Sequence, residues 1–569
     1  MTSIRRITRI TQPLRRTFSS TSSPSYQHVL YFGNLLGYQS IDRLAKFSRS
    51  WLDSAGVSGD VDRGLRYECM SSGGVGHVLV GYTLLDTRLD GRSPRQTSEQ
   101  VSLHGAVEPE EEVDGEVIHL DTEDAKSSTS SQPSKVFALG RNTHAQLGLG
   151  FTSQEATRGM VTGEFAGEGG VSMLAAGNGF SFIVTSSNEG GKVFAFGNDT
   201  LGQLGSNSLE GGRTGEDAYD VSIRSGREPQ LKLLPLPREV PVGGEGEEGW
   251  EVKSISAGLD HSLVLVEKVV NGRRVQRVLS TGLNTDGQLG LTEKDKEECV
   301  PIEPLIERGF TEVPITLSPK LVESDGEAGA EIVQVVCGAD TSYALTAGGD
   351  LWVWGNSEYG QSFAGIHDRI VAPLFVPNPL PDAYRDHSIS FDPLHPPKLQ
   401  KLVAGGSFAA ILDTQGRVWV VGYGPRGQPV SESKAQWSSL SLVEFPPDMV
   451  VETLFSGLEY FIATARSPSS LPQVFIWGIP PRAVSTEPIV TPTPVPFSIP
   501  KTPRQKWLDD NPRLKQKQRE EAIDLSKVKI QAAACTREHL LLIVDDGVGG
   551  DFWAECDHPP RDKGTDVTL

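Results

Sequence analysis

Short apolar runs that stop at a glycine recur along this chain. One unit reads KVFAFGNDTLGQLG at 192–205. It returns as KVFALGRNTHAQLG at 135–148, VLSTGLNTDGQLG at 278–290, LWVWGNSEYGQSF at 351–363 and VWVVGYGPRGQPV at 418–430. Looser copies stand at 29–40 (VLYFGNLLGYQS) and 474–483 (VFIWGIPPRA). The runs are rich in Val, Phe, Ile and Trp, and they end at Gly33, Gly140, Gly197, Gly282, Gly355, Gly422 and Gly478. Six copies place a glutamine six residues further on: Gln39, Gln146, Gln203, Gln288, Gln361 and Gln428. The copy at 474–483 has prolines instead.

A second pattern alternates with the first. It reads ISAGLDHSLVLV at 255–266, VVCGADTSYALT at 335–346 and LAAGNGFSFIVT at 174–185. Further copies are LVAGGSFAAILD (402–413), LFSGLEYFIATA (454–465), AAACTREHLLLI (532–543) and, more loosely, CMSSGGVGHVLVG (69–81). Small residues and a glycine turn precede an apolar strand. Its period-2 alternation is only partial, as for a strand covered on both faces. Two strands per period are thus explicit, and two more are implied in the variable stretch between. About four strands repeated about seven times make a β-propeller, because radial repetition leaves only short sheet edges. The expected architecture is all-β, with blades starting near Val29, Val136, Val193, Val278, Leu351, Val418 and Val474. One blade shared between the two termini would displace these starts.

The repeat turns carry the most informative residues. Gly197, Gly282 and Gly355 end strands, and Gly202, Gly287 and Gly360 precede the recurrent Gln203, Gln288 and Gln361. Positive φ is expected at Gly202, Gly287 and Gly360. The glutamine amide, which can donate and accept, is expected to bind backbone groups where blades meet. His261 is expected to tie a turn to a neighbouring blade, and Trp352, Trp354, Trp419 and Trp477 to lie in the core.

This unit, strand–Gly–x4–Gly–Gln–Leu–Gly followed by a Gly-x-x-His strand, resembles the regulator-of-chromosome-condensation repeat. The resemblance covers about residues 28–547 and rests on seven copies in order. The histidine persists as His77, His261 and His539 but is replaced by Phe180, Thr341, Phe408 and Tyr460. The resemblance implies a seven-bladed propeller that works by binding. It also implies an exchange mechanism, since the family's founding nuclear member loosens nucleotide from the GTPase Ran by wedging loops against it.

The N-terminus changes the picture. Residues 1–23 read MTSIRRITRITQPLRRTFSSTSS, with Arg5, Arg6, Arg9, Arg15 and Arg16 as the charged side chains before Asp42. Ile4, Ile7, Ile10 and Leu14 recur at helical spacing. Basic, Ser/Thr-rich and acid-free, this is the mitochondrial transit pattern, and it lacks the apolar core of a secretory signal. Cleavage before Ser19 would remove five arginines and shift the net charge of −20 to −20 − 5 = −25.

Charge argues against a general nucleic-acid binder. No run of about 18 apolar residues occurs, so no transmembrane helix is expected. Cys69, Cys299, Cys337, Cys535 and Cys556 show neither zinc spacing nor a disulfide framework, and reduced thiols are expected. Segments 87–134 and 206–250 read as disordered acidic insertions, 480–526 as a Pro-rich and basic helical insertion, and 548–569 as a tail. Residues 551–556 are a candidate closing strand. Arg513, Lys515, Lys517 and Arg519, with Trp507, form the dense basic cluster of 480–526. It carries two readings: a solvated helix face, or a dock for RNA, anionic lipid or an acidic protein.

Catalytic motifs are missing. The sequence has no phosphate loop, HExxH or GxSxG. Gly73-Gly74-Val75-Gly76 falls inside a repeat turn. No catalytic residue, cofactor or metal is expected, and the protein is read as a non-enzyme. The primary functional expectation is a mitochondrial protein-binding scaffold on the matrix side. It would assist assembly of a respiratory complex or the mitoribosome, with peripheral inner-membrane or RNA contact. The alternative is guanine-nucleotide exchange on a mitochondrial GTPase.

Overall fold

The structure is a computed structural model. It describes residues 25–47, 65–74, 76–84, 135–167, 169–186, 191–206, 232–243, 249–291, 305–315, 329–423, 439–467, 472–497 and 528–549. The strands form seven antiparallel four-stranded sheets, the blades of one propeller. Blade 1 holds β3 (Leu65–Gly73), β4 (His77–Leu84), β5 (Lys135–Asn142) and β6 (Ser153–Met160). Blade 2 holds β7 (Gly170–Ala176), β8 (Phe180–Ser186), β9 (Val193–Asn198) and β10 (Leu233–Val240). Blade 3 holds β11 (Glu251–Ala257), β12 (His261–Val270), β13 (Arg273–Leu283) and β14 (Ile306–Glu312). Blade 4 holds β15 (Ile332–Cys337), β16 (Thr341–Thr346), β17 (Leu351–Gly355) and β18 (Ile370–Val376). Blade 5 holds β19 (Leu399–Ala404), β20 (Phe408–Asp413), β21 (Val418–Gly422) and a short β22 (Ser441–Leu442). Blade 6 holds β23 (Val450–Ser456), β24 (Tyr460–Arg466), β25 (Gln473–Gly478) and β26 (Ile489–Val495).

Blade 7 joins the chain ends. Its inner strands are β27 (Lys529–Cys535) and β28 (His539–Gly549), and its outer strands are β1 (Ser25–Leu35) and β2 (Tyr38–Lys46). The β1–β28 ladder runs from Ser25↔Gly549 to Gly33↔His539 and closes the ring. The candidate closing strand at 551–556 lies outside the described residues.

The innermost strands are β27, β3, β7, β11, β15, β19 and β23, and their ends line one axial cavity. Each blade therefore begins with the small-residue pattern, and the runs ending at glycine are third strands. The expected blade starts are displaced by two strands, because shared closure shifts the register. The second and third strands are apolar and covered on both faces: all six residues of β16 and all five of β17 are buried. Trp352, Trp354, Trp419 and Trp477 are buried as expected.

Outer strands correct two of the expected insertions. Segment 206–250 contains β10, and Trp250 beyond it is buried. Segment 480–526 contains β26. The acidic composition around β10 and the prolines of β26 made both read as loops, and proline marks both strands: Pro235 and Pro237 in β10, Pro492 and Pro494 in β26. A proline cannot donate to a further strand, so it suits an outer edge. Residues 207–231, 244–248 and 498–526 of those segments, and 87–134, lie outside the described residues. The tail expected from 548 begins later, since β28 runs to Gly549. The segment between blades 4 and 5 carries a short helix, α1 (Leu380–Asp386).

Candidate functional site: the rim of inner turns

First-to-second-strand turns and third-to-fourth-strand turns emerge on one face of the ring. The inner turns are joined round the axis by backbone hydrogen bonds. Asn178 N donates to Leu259 O at 3.3 Å, Leu259 N to Ala339 O at 3.1 Å and Ala339 N to Gly405 O at 2.9 Å. Gly406 N donates to Leu458 O at 2.9 Å and Arg537 N to Gly74 O at 3.2 Å. These bonds bridge five of the seven seams and form a collar above an axial cavity of about 200 Å³.

Glycine is required at this collar by close approach. A Cβ on Gly258 would lie 2.4 Å from Cε1 of His261 and 2.7 Å from Gly338 O. A Cβ on Gly405 would meet the Phe408 ring at 2.2 Å and Gly457 O at 2.8 Å. The ring of the strand-starting residue occupies the space a Cβ would need. Phe180, Phe408 and Tyr460 fill the position as histidine does, whereas Thr341 brings no ring to Gly338.

The repeat turns lie where blades meet, but their chemistry differs from expectation. Gly202, Gly287 and Gly360 have φ of +74°, +80° and +73°, the expected left-handed backbone. Gly197, Gly282 and Gly355 have φ of +106°, +114° and +95°. The Oε1 of Gln203 accepts from Leu201 N at 2.9 Å, that of Gln288 from Asp286 N at 2.8 Å and that of Gln361 from Tyr359 N at 3.1 Å. These bonds stay inside the turn. Gln361 Nε2 donates to Thr341 Oγ1 at 3.3 Å, but Nε2 of Gln203 and of Gln288 has no partner. The contact across the seam is made by the glutamine main-chain carbonyl. Ser181 Oγ donates to Gln146 O, and Ser262 Oγ to Gln203 O, each at 2.9 Å. Ser342 Oγ donates to Gln288 O at 2.7 Å. Gln39 departs from the pattern and is exposed on β2; Gln428 lies outside the described residues.

Histidine completes two of these seams. His77 Nε2 lies 2.9 Å from Ser181 Oγ, and His261 Nε2 lies 3.0 Å from Ser342 Oγ. His261 therefore ties its turn to the next blade, as expected. A Ser–His pair invites a nucleophile reading, but the geometry opposes it. The serine proton is committed to a carbonyl, so the imidazole donates rather than accepts. Both pairs are fully buried. Burial lowers the His77 and His261 pKa values to about 4 and about 3, keeping both rings neutral. These serines stand in the quoted patterns, immediately after each ring position, yet only the seam geometry gives them a role.

Two sets of rim charges contrast. On blades 6, 7 and 1 they pair across seams: Arg537 with Glu459 at 3.1 Å, and Arg141 with Glu538. On blades 3 and 4 stand Asp260, Asp286 and Asp340, with which no basic side chain pairs among the described residues. Burial, then the neighbouring Asp340, raises the Asp260 pKa to about 6. Burial, then Asp286, does the same for Asp340. Beside them Tyr359 and Tyr423, from turns of adjacent blades, pack with ring centroids 5.4 Å apart.

Cys337 and Cys535 line the axial cavity, and burial pushes both thiols up to about 12. Cys69 is half-buried; Cys299 and Cys556 lie outside the described residues. Among the described residues no group of three His, Cys, Asp or Glu side chains is placed to hold a metal, and no helix is long and apolar enough to cross a membrane. The basic cluster Arg513, Lys515, Lys517 and Arg519, with Trp507, lies outside the described residues, as does the 1–23 segment.

Seven blades, a glycine collar and glutamine turns at the seams define a β-propeller of the RCC type. The repeat described as "Regulator of chromosome condensation (RCC1) repeat" matches residues 277–345 and, in a second form, residues 332–361. These matches and the relatives support the regulator-of-chromosome-condensation repeat family for this chain. A human "RCC1-like G exchanging factor-like protein" is 27% identical over 368 residues, covering 62% of this chain and 64% of that protein. The match thus spans just under two thirds of that relative. A "Secretion-regulating guanine nucleotide exchange factor" of Bos taurus is 27% identical over 302 residues, covering 45% of this chain and 56% of that protein. Crystallised human WBSCR16 is 17% identical with a TM-score of 0.51, covering 92% of this chain and all (100%) of that one. Yeast RCC1 (Prp20), crystallised with Kap60, is 12% identical with a TM-score of 0.54, covering 96% of each chain. The two structures share the fold.

Proposed function

We propose that this propeller binds a small GTPase through the rim of blades 3 and 4 and promotes nucleotide exchange, without bond chemistry of its own. The observation that carries this reading is the set of half-buried carboxylates, Asp260, Asp286 and Asp340, which have no basic partner among the described residues, whereas blades 6, 7 and 1 pair their rim charges across seams. Half-buried acids without a cation favour a partner that brings lysine or arginine. Exchange requires only that binding energy favour the nucleotide-free partner over the loaded one. The relatives' names, "G exchanging factor-like" and "guanine nucleotide exchange factor", support the same class. The test is release of labelled GDP from purified GTPases, with and without Asp260→Asn/Asp340→Asn. Acceleration that the double variant loses supports the reading; no acceleration of any candidate GTPase refutes it.

The N-terminal pattern favours a second reading on location and partner. We propose import into mitochondria, directed by Arg5, Arg6, Arg9, Arg15 and Arg16. There the ring would serve as a scaffold for assembly of a respiratory complex or the mitoribosome. Replacing the five arginines with Gln in a fluorescent fusion should leave it cytosolic, and unchanged import would refute the location. Co-purification with respiratory or ribosomal subunits, without exchange activity, would favour the scaffold.

A further inference from the structure

Two seams of the ring are held through a histidine, and the others are not. We propose that the His77–Ser181–Gln146 and His261–Ser342–Gln288 contacts are acid-sensitive catches, so that protonation of the two histidines frees blade 2 from blade 1 and blade 4 from blade 3 while blades 5 and 6 stay joined. In each catch the serine hydroxyl hydrogen points at the glutamine carbonyl, at 2.9 Å in one and 2.7 Å in the other. The serine therefore offers the histidine a lone pair, and Nε2 must carry the proton. The second ring nitrogen, Nδ1, is then bare, and in both histidines it is buried without a partner. It is packed against the glycine collar: a Cβ on Gly73 would lie 2.6 Å from His77 Nδ1, and one on Gly258 equally 2.6 Å from His261 Nδ1. A second proton would place a charge at a buried nitrogen without a hydrogen-bond partner, which carries a large desolvation penalty; beside His77 a main-chain contact with Phe180 offsets part of it.

Neighbouring charges bear on both catches. Beside His77, His539 of blade 7 adds repulsion to any positive charge. The rim charges near that turn, Arg141 and Glu538, neutralise each other. Around His261 stand Asp260 in its own turn, Asp340 on blade 4 and Asp286 beyond it. Asp260 and Asp340, raised to about 6, lose their charge on acidification before His261, lowered to about 3, gains its own. Little anionic charge then remains to offset the imidazolium. At the seam between blades 5 and 6 the ring position itself does not titrate, because Phe408 covers the collar there and packs on Phe461 with centroids 4.4 Å apart; Lys401 of blade 5, over the Phe455 ring of blade 6 at 4.1 Å, keeps its charge across the acid range.

Two measurements on the intact protein test this. Exchange of the imidazole C2 hydrogen, followed by mass spectrometry across pH, reads each histidine's titration. His77 and His261 should titrate at least about one unit below the unperturbed value of about 6.5. Amide exchange at about pH 7.5 and about pH 4.5 then reads the seams. Protection should fall first in β8 and β16 and persist in β20 and β24. The variant His77→Phe/His261→Phe, which copies the ring at Phe180 and Phe408, should keep protection at the lower pH. Histidine midpoints near the unperturbed value, loss of protection equal in all blades, or equal loss in the double variant would each overturn the proposal. The histidine midpoints are read on the unmodified chain, so the test stands even if the double variant does not fold.

Discussion

Blades 2 to 4 and blades 5 and 6 dock onto their predecessors by different chemistry. Entering blades 2, 3 and 4, a serine follows the ring position and reaches back to the previous blade's glutamine turn: Ser181, Ser262 and Ser342. The indole N–H of Trp354 donates to the same Gln288 carbonyl at 2.9 Å. Entering blades 5 and 6, the equivalent residues are Ala409 and Phe461, both buried. Here Phe408 meets Phe461, and Phe445 packs edge-on against Trp477 with centroids 5.7 Å apart. The family repeat matches residues 277–361, within the hydrogen-bonded part. The comparison teaches that the recognisable motif marks a polar seam. At 478–483 prolines replace the glutamine altogether, and blade 6 persists without that motif.

Substitutions can break this contrast, beginning with the largest expected effect. Trp477→Ala removes a buried indole from the aromatic seam and should cost about 3–5 kcal/mol in denaturant unfolding. A loss below about 1 kcal/mol would mean that the aromatic packing is incidental.

Acid should act on the buried histidines and on the rim aspartates in opposite senses. His77, His261 and His539 have folded pKa values lowered to about 4, 3 and 4. A lowered histidine contributes stability fully above its unfolded value, about 6.5, and loses it as pH falls. Asp260 and Asp340, raised to about 6, contribute stability that is lost as pH rises through that value. Between pH 4 and 6 they oppose the histidines. Asp260→Asn/Asp340→Asn should therefore steepen the acid loss, by on the order of 2–3 kcal/mol across that window. Parallel stability–pH curves for parent and variant would contradict this balance.

Ser342→Ala deletes the hydroxyl between His261 and Gln288 and leaves the buried Nε2–H without its acceptor. A loss of about 1–3 kcal/mol is expected, whereas the same change at an exposed serine should register almost nothing. Gly202→Ala should cost about 1 kcal/mol through its left-handed backbone, plus relief of a 2.6 Å approach to Glu307 O. Blade 1 already carries Ala145 at this turn position with φ of +60°, so the change should weaken the seam without unfolding it. The smallest effect belongs to Arg513, Lys515, Lys517 and Arg519. Neutralising all four should change stability by no more than about 0.5 kcal/mol. If the cluster docks an anionic surface, sedimentation with acidic vesicles or ribosomes should fall, and fall further as salt rises. Unchanged sedimentation would leave it a solvated face.

The repeat count, the all-β class and the glycine turns were legible in the sequence, because a repeated local backbone demands a repeated local residue. Left-handed φ admits few residues other than glycine, so Gly202, Gly287 and Gly360 announce themselves without a structure. Strands marked by proline did not announce themselves: β10 read as a loop for its acidic surroundings and β26 for its prolines, although proline, excluded from central strands, is welcome at an outer edge. Which strand begins a blade was also invisible, because the β1–β28 ladder that sets the register pairs residues from opposite ends of the chain. The same holds for the seams. Gln288 and Ser342 are 54 residues apart, and only the ring brings a carbonyl of one blade to the hydroxyl of the next. Asp260 and Asp340 gain their shared electrostatics by the same route. The sequence by itself determined the local units; tertiary closure decided which polar groups meet, because burial and pairing depend on neighbours that chain order does not specify.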